Sequence, residues 1–449
     1  MRAADCLLAL AFLPLVFAAR PDICSAKPRD LPLEPRCIYR SPDPEDPEVL
    51  TPEPEVVPES TNPRVWELSK ANGRFALSLY KQLALSKTPD SNIFMSPISI
   101  STAFAMTKLG ACNRTLEQIM KVFEFDTIKE KTSDQVHFFF AKLNCRLYRK
   151  KDKTTELISA NRLFGDKSLI FNETYQNISE TVYGAKLLPL NFKEKPGEAR
   201  HHQQLDLQKT ENLIQDTLPA GLWDSNHDLV LVNTIYFKGQ WKKVSIKDNV
   251  YNLRLQVKLE SRTCSVNMST RDPFQYRTSP TTRCKLLEMP YRGDAHLGII
   301  LPRQRHLTLS KVEESLDLKK LTDWLDQMTE TTVSVHVPRF RVEDSFSLKE
   351  KLQAMGLTDL FSSEKASLPG MLEDGGDGLH ISDAFHKAFL EVNEEGSEAA
   401  AATAVVAIGR SINLNREVFL ADRPFLLLIR ESTINTLLFT ARVADPCNP

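Results

Sequence analysis

Apolar positions recur with helical and strand periods along most of the chain from about residue 66 onward. Ile100 to Gly110 (ISTAFAMTKLG) is largely apolar and small, and it predicts a buried helix. Asp228 to Gly239 (DLVLVNTIYFKG) is a β-branched, apolar run ending in a turn, so it predicts a buried strand. Glu417–Glu431 and Asn435–Val443 predict two more strands. The mixture of helices and strands, without an internal repeat, indicates one large α+β body.

The N-terminal region is typical of a secreted protein. Residues 1–19 combine Arg2, an apolar run and the small-residue pattern Val16-Phe17-Ala18, which together predict a signal peptide. Residues 20–65 form a cysteine-bearing segment, within which residues 41–60 hold six prolines and seven acids. Such a stretch cannot bury a core and predicts an extended, solvated spacer. We expect residues 66–449 to form a single globular domain.

Composition excludes several classes of protein. The chain of 449 residues is 42% hydrophobic and carries 57 Lys+Arg against 58 Asp+Glu. It is too apolar for a disordered chain and too nearly neutral for a protein that binds nucleic acid over its whole surface. After the N-terminus there is no apolar run of 18 residues, so we expect no membrane span in the mature chain.

Cysteines and glycosylation sequons agree with secretion. Seven cysteines remain after the leader, which allows three disulfides and one free thiol, and their spacing does not determine the pairing. No two cysteines have the spacing of a zinc ribbon, and we expect no metal site. Four acceptor sequons begin at Asn113, Asn172, Asn177 and Asn267.

Residues 134–153 predict a helix with one basic face. Lys142, Arg146, Arg149, Lys150 and Lys153 share that face at helical spacing, and a stripe of this kind can bind a linear polyanion by releasing its counterions. A solvated surface helix and a nucleic-acid site are the alternatives, but a secreted chain meets sulfated glycosaminoglycans first. The neighbouring residues 138–140, all Phe, are interpreted as core residues rather than stacking platforms.

A run of small residues lies near the C-terminus. Residues 399–409 carry no charge and no proline, and they precede the sequence Gly409-Arg410-Ser411. A lone arginine in this context suits the acidic specificity pocket of a trypsin-like protease. Composition leaves two structures open for the run, because alanine favours a helix while small alternating residues also fit an insertable strand.

Several motifs carry a resemblance to the serpins. They include Asn233-Thr-Ile-Tyr-Phe-Lys-Gly239, Phe389-Leu-Glu-Val-Asn393, the hinge-like Glu394-Glu-Gly-Ser-Glu398 and Asp422-Arg-Pro-Phe425. Denser matches, such as Val65-Trp-Glu-Leu-Ser-Lys-Ala-Asn72, point to the heparin-activated inhibitors of clotting proteases within that family. The resemblance extends over nearly all of residues 22–446.

The resemblance implies an α+β serpin fold with three β-sheets, eight to nine helices and an exposed reactive-centre loop. It implies a secreted plasma inhibitor of trypsin-like serine proteases, thrombin and factor Xa, with no catalytic residue of its own. The bait bond would be Arg410–Ser411, and a protease attacking it would be trapped when the loop inserts. We expect a monomer that needs no cofactor besides heparin or heparan sulfate as activator. The implied hinge consists of Glu394, Glu395, Gly396, Ser397, Glu398 and Ala399.

The resemblance also implies a polyanion site and a disulfide pairing. The site would contain Lys27, Arg29, Arg64, Lys131, Phe138, Phe139, Lys142, Arg146, Arg149 and Lys150. The pairs would be Cys24–Cys145, Cys37–Cys112 and Cys264–Cys447, which leaves Cys284 as a free thiol.

The chain departs from the family pattern at two places in particular. Pro63 stands where the family has a basic residue, and residues 200–227 follow the pattern poorly. These departures leave an alternative open: a serpin-fold glycosaminoglycan-binding protein that proteases only cleave.

Overall fold

The structure is a computed structural model. It describes most of the chain after residue 60. The described residues are 23–25, 35–39, 57, 59, 61–128, 135–148, 154–190, 228–242, 251–257, 260–279, 283–303, 309–376, 378–393 and 417–446, of which 190, 251–257 and 260–271 are described by their backbone alone.

Eight α-helices lie in the described part of the chain. In order they are α1 (Pro63–Ser86), α2 (Pro97–Gly110), α3 (Asn113–Val122), α4 (Gln135–Tyr148), α5 (Glu173–Tyr183), α6 (Leu309–Ser315), α7 (Leu318–Asp326) and α8 (Lys349–Ala354). The first two begin in the same way, with a side-chain cap followed by proline at the first helical position. Asn62 accepts a hydrogen bond from the Arg64 N–H, and Ser96 accepts one from the Ser99 N–H.

Five strands form a sheet in the order β10-β11-β4-β2-β3. Their bounds are β2 (Thr155–Asp166), β3 (Lys186–Leu190), β4 (Leu229–Gly239), β10 (Phe340–Ser347) and β11 (Asp383–Val392). The pairs β10–β11 and β2–β4 are antiparallel, whereas the central pair β4–β11 is parallel. We call the boundary between β4 and β11 the central seam.

The other nine strands form a second sheet in the order β1-β14-β13-β8-β7-β6-β9-β12, with β5 also paired to β6. Their bounds are β1 (Ile93–Met95), β5 (Tyr251–Val257), β6 (Glu260–Ser279), β7 (Cys284–Pro290), β8 (Ala295–Pro302), β9 (Thr329–Pro338), β12 (Glu417–Leu420), β13 (Phe425–Glu431) and β14 (Thr436–Val443).

The long strand β6 explains why the described residues show two hydrogen-bonded sheets where three are expected. It pairs with β9 from Val266 to Tyr276 and with β7 from Gln275 to Ser279. One continuous strand therefore joins, into a single hydrogen-bonded sheet, strands that the resemblance assigns to two separate sheets.

The core confirms the helix predicted at Ile100–Gly110 and the strand predicted at Asp228–Gly239. Every residue of α2 is buried, and it packs against β4 and β14. The strand predicted at Glu417–Glu431 is instead two strands, β12 and β13. The break falls at Asp422-Arg423-Pro424, because proline has no N–H for a ladder bond and the Asp422 carboxylate pairs with the Arg423 guanidinium. Among the described helices, none is both long and apolar enough to cross a membrane.

Candidate functional site

The central seam is the part of the fold that adjoins the predicted bait segment. Strand β11 ends at Val392, and the chain returns as β12 at Glu417, on the edge of the other sheet. The hinge residues and the bond Arg410–Ser411 lie between these points, outside the described residues. Both ends of the bait segment are thus fixed to β-sheets.

Trp241 closes the end of the seam at which both β4 and β11 terminate, which we call its upper end. Its indole N–H donates to the Asn393 carbonyl at 2.8 Å, across the seam from the end of β4 to the end of β11. The indole ring also stacks on Tyr291, with ring centroids 4.2 Å apart. The strand register runs from Asp383↔Val230 to Phe389↔Tyr236, so the last three residues of each strand lie beyond it. A side chain therefore bridges this end of the seam, beyond the paired residues of the two strands.

A buried polar cluster crosses the middle of the seam. The His386 Nδ1 lies 2.6 Å from the Asn233 Oδ1, and the Ser96 N–H donates to His386 Nε2 at 3.1 Å. Burial lowers the pKa of His386 to about 3, so its ring is neutral, with the proton on Nδ1. The Asn233 amide in turn donates to Ser99 Oγ at 2.6 Å and Asn161 Oδ1 at 2.5 Å. The cluster links β11, β4 and β2 to the N-terminus of α2.

The basic face predicted on residues 134–153 is partly described, on α4. The Arg146 guanidinium donates to Glu431 Oε1 through Nε at 3.3 Å and through Nη2 at 3.2 Å. The Lys142 ammonium donates to the Cys24 carbonyl at 2.8 Å and lies 5.1 Å from the Phe138 ring centroid. Both cations are half-buried, with directions set by these acceptors.

The apolar side of α4 packs into the core. Phe138 and Phe139 are each 7% exposed, which agrees with their interpretation as core residues. Behind them, His137 is fully buried between the Tyr183 hydroxyl and the Lys108 ammonium, which lies 3.3 Å from its Nε2. Burial, with the Lys108 charge, holds the pKa of His137 well below its usual value.

Two disulfides tie the N-terminal segment to this region. Cys24 is bonded to Cys145 on α4, and Cys37 is bonded to Cys112 immediately before α3. These are two of the three pairs that the resemblance implies. The third, Cys264–Cys447, lies outside the described side chains. Cys284 forms no disulfide, and its side chain is fully buried.

The remaining expected residues of the polyanion site are only partly described. Arg64 lies at the start of α1, where its Nη1 pairs with Glu67 at 3.0 Å. Outside the described residues lie Lys27, Arg29, Lys131, Arg149 and Lys150.

The sequons differ in their surroundings. Asn113 and Asn177 are exposed at the surface, whereas Asn172 is half-buried and caps α5 by accepting the Tyr175 N–H at 2.9 Å. Asn267 lies in the stretch of β6 described by its backbone alone.

The sequence does not reveal the residues that orient the basic face of α4 or bridge the central seam. No local pattern indicates Glu431 or Trp241, because their contacts join segments far apart in the chain. One local signal was present for His386, a single imidazole in the otherwise apolar alternation of DAFHKAFLEV.

Comparison with known proteins agrees with this architecture. The profile of the family Serpin (serine protease inhibitor) matches residues 70–446. Antithrombin-III of Homo sapiens is 57% identical over 428 residues, covering 95% of this chain and 92% of that protein. Antithrombin-III of Mus musculus is also 57% identical over 428 residues, covering 95% of this chain and 91% of that protein.

Solved structures show the same fold. Human thyroxine-binding globulin superposes with a TM-score of 0.78 at 28% identity, covering 85% of this chain and 99% of that one. Uncleaved ovalbumin superposes with a TM-score of 0.75 at 29% identity, covering 85% of this chain and 100% of that one. The profile, the identity over nearly the whole chain and the central seam lead to one conclusion: the chain belongs to the serpin (serine protease inhibitor) family.

Proposed function

We propose that this serpin is a secreted inhibitor of the trypsin-like serine proteases of blood coagulation, thrombin and factor Xa, and that heparin or heparan sulfate activates it. The similarity to antithrombin-III over 95% of the chain supports this proposal. Arg410–Ser411 is the proposed bait bond, since Arg410 suits a trypsin-like specificity pocket. All catalytic groups belong to the protease, so the chain acts as an inhibitor and not as an enzyme.

The observation that carries the proposal is the parallel pairing across the central seam. Serpin loop insertion is an established release of stored strain. Here β4 and β11 run in the same direction, and the bait segment follows directly after the end of β11. A loop that turns back and enters the seam runs antiparallel to both strands. Insertion therefore replaces one parallel pair with two antiparallel pairs, which are slightly more stable per residue.

Trapping follows from the order of events. The protease serine attacks the Arg410 carbonyl, the Arg410–Ser411 bond breaks, and Arg410 remains esterified to the protease. The new chain end at Arg410 is free to follow the hinge, Glu394 to Ala399, into the seam. The esterified protease is then carried along the sheet before water releases it. Small residues from Ala399 to Ala407 permit this insertion, because they fit between strands.

The proposed activator site is the basic face of α4 together with the N-terminal segment. The Cys24–Cys145 bond holds the start of that segment against α4, and the Lys142 ammonium binds the Cys24 carbonyl. Lys27 and Arg29 follow Cys24 by three and five residues, and we infer from this short spacing that the tether would bring them toward Arg146. Heparin would bind here by displacing counterions, and its affinity should fall steeply with salt.

A denaturing gel tests the proposal. The secreted protein is mixed with thrombin, with and without heparin, and boiled in SDS. We expect a covalent complex that forms faster with heparin and is absent for Arg410→Trp, whose affinity for heparin should stay unchanged. Cleavage at Arg410 without a complex would contradict inhibition and leave the alternative of a heparin-binding substrate.

A further inference from the structure

The lower end of the central seam is the end at which β4 and β11 begin. Three contacts close it, just before the first paired residues of the two strands, Asp383 and Val230. The Ser382 N–H donates to the Leu229 carbonyl at 2.8 Å, and the Asp228 N–H donates to Ser382 Oγ at 3.0 Å. His380 Nδ1 lies 3.4 Å from Asp228 Oδ2, which is close enough for an ion pair when the imidazole is protonated, although the geometry is not that of a hydrogen bond. We call Asp228, His380 and Ser382 the lower clasp.

Each side of the lower clasp is anchored to its own half of the molecule. On the β4 side, the Asp228 carbonyl accepts the N–H of Asp166, the last residue of β2, at 3.0 Å. On the β11 side, the Lys349 ammonium of α8 donates to the Ser382 carbonyl at 2.9 Å. When β4 and β11 separate, these anchors hold each half together. The contacts that must break are those across the clasp.

The length of the bait segment brings an inserted strand down to this point. Antiparallel strands pair residue for residue, so a turn at residues 394–397 places Glu398 opposite Val392. Twelve positions further, Arg410 then lies at about the level of His380. Neighbouring strands are about 4.8 Å apart, so a strand between β4 and β11 moves them to about 10 Å. No clasp contact survives at that distance.

We propose that Asp228, His380 and Ser382 form a latch that resists the last part of loop insertion and so sets how often an attacking protease is trapped rather than released. This inference rests on the proposed function, because trapping is a race between insertion and hydrolysis of the ester. The Asp228 side chain is 38% exposed and that of His380 is 14% exposed, so their pair is modest in strength. We expect loss of the Asp228–His380 pair to speed opening of the lower end of the central seam about 2- to 5-fold.

Peptide uptake measures seam opening without a protease. A synthetic peptide with the sequence Ser397 to Arg410 fills the seam from outside, and its incorporation is followed by native gel shift. Asp228→Asn, His380→Gln and Ser382→Ala should each incorporate it about 2- to 5-fold faster than wild type. The double variant Asp228→Asn/His380→Gln should be no faster than the faster single variant, because both remove one pair. Asp326→Asn, an exposed acid on α7, is the control of matched charge and should behave as wild type.

Covalent trapping of thrombin by the same proteins separates this inference from the proposed function. Equal uptake by wild type and clasp variants, with thrombin still trapped by wild type, overturns the latch and leaves the function intact. Faster uptake by the clasp variants, with no trapping by wild type, shows that the clasp resists opening of the seam but overturns the function and, with it, any effect of the clasp on trapping. Absence of both uptake and trapping in wild type overturns both.

Discussion

Arg146 and Glu431 form an ion pair that joins the proposed heparin face to the end of β13. The Arg146 guanidinium binds one carboxylate oxygen of Glu431, and the other oxygen accepts the Ile434 N–H at 2.8 Å. Glu431 is 1% exposed, whereas the Arg146 side chain is 30% exposed. The acid is therefore part of the core, and it directs a cation at the surface.

Substitutions at this pair should separate the stability of the fold from its affinity for heparin. Arg146→Ala should weaken heparin binding, lower its salt slope by about one, and destabilise the fold by about 2 kcal/mol, because a buried carboxylate loses its partner. Arg146→Ala/Glu431→Gln should recover most of the stability without recovering the affinity. Heparin titrations at several salt concentrations and urea unfolding measure the two quantities. Full recovery of affinity in the double variant would argue against a direct contact of Arg146 with heparin.

The two described disulfides offer a matched comparison. Their sequence separations are 121 and 75 residues, so loop entropy assigns each a similar upper limit of about 4 to 5 kcal/mol. Cys24→Ser/Cys145→Ser should nevertheless weaken heparin binding about tenfold, because it releases Lys27, Arg29 and the acceptor of Lys142. Cys37→Ser/Cys112→Ser should lower stability to a similar degree with little change in affinity. Equal affinities of the two variants would contradict the proposed role of the N-terminal tether.

The neutral state of His386 predicts acid sensitivity of the seam. Its pKa is about 3 in the fold, against about 6.5 in the unfolded chain, so the unfolded chain binds the proton first. The stability that depends on this group is complete above pH 6.5 and falls as the pH drops from 6.5 to 3. By pH 5 the loss is about 2 kcal/mol.

Urea unfolding at pH 7.5 and pH 5 tests this dependence. His386→Gln should be less stable than wild type at pH 7.5 but should lose about 2 kcal/mol less on acidification, since glutamine does not titrate. An equal loss in both proteins would assign the acid sensitivity to other groups.

Burial of Cys284 predicts an inert thiol. The side chain is fully buried on β7, and thiol reagents act on an accessible thiolate. We expect no reaction with Ellman's reagent in the native protein and one equivalent of thiol after unfolding in guanidinium. Reaction of the native protein at the rate of a small thiol would show that β7 opens locally.

Local patterns predicted the elements that lie wholly within the core. Helix α2 and strand β4 were readable from sequence, because each is buried on all sides and its composition is uniform over its length. Strands β12 and β13 were merged in the prediction, because the apolar pattern resumes directly after Asp422-Arg423-Pro424. Pro424 was the signal that a ladder could not continue there.

The partners of functional side chains were not predictable in this way. Arg146 and Glu431 are 285 residues apart, and Trp241 is 152 residues from Asn393. Each pairing depends on how helices and sheets are packed, and no periodicity in either segment encodes it. The chemistry of the basic face was visible as a charge pattern, while the acceptors that orient Lys142 and Arg146 required the fold.

The two described disulfides are nested, and this arrangement orders their formation during synthesis. Cys37 and Cys112 can pair as soon as Cys112 has left the ribosome, before Cys145 has emerged from it. Among residues after the leader, Cys24 is then the single earlier thiol left for Cys145. The inner bridge also shortens the chain path between Cys24 and Cys145, which lowers the entropy cost of the outer closure. The order in which the cysteines emerge thus favours closure of the inner bridge before the outer one.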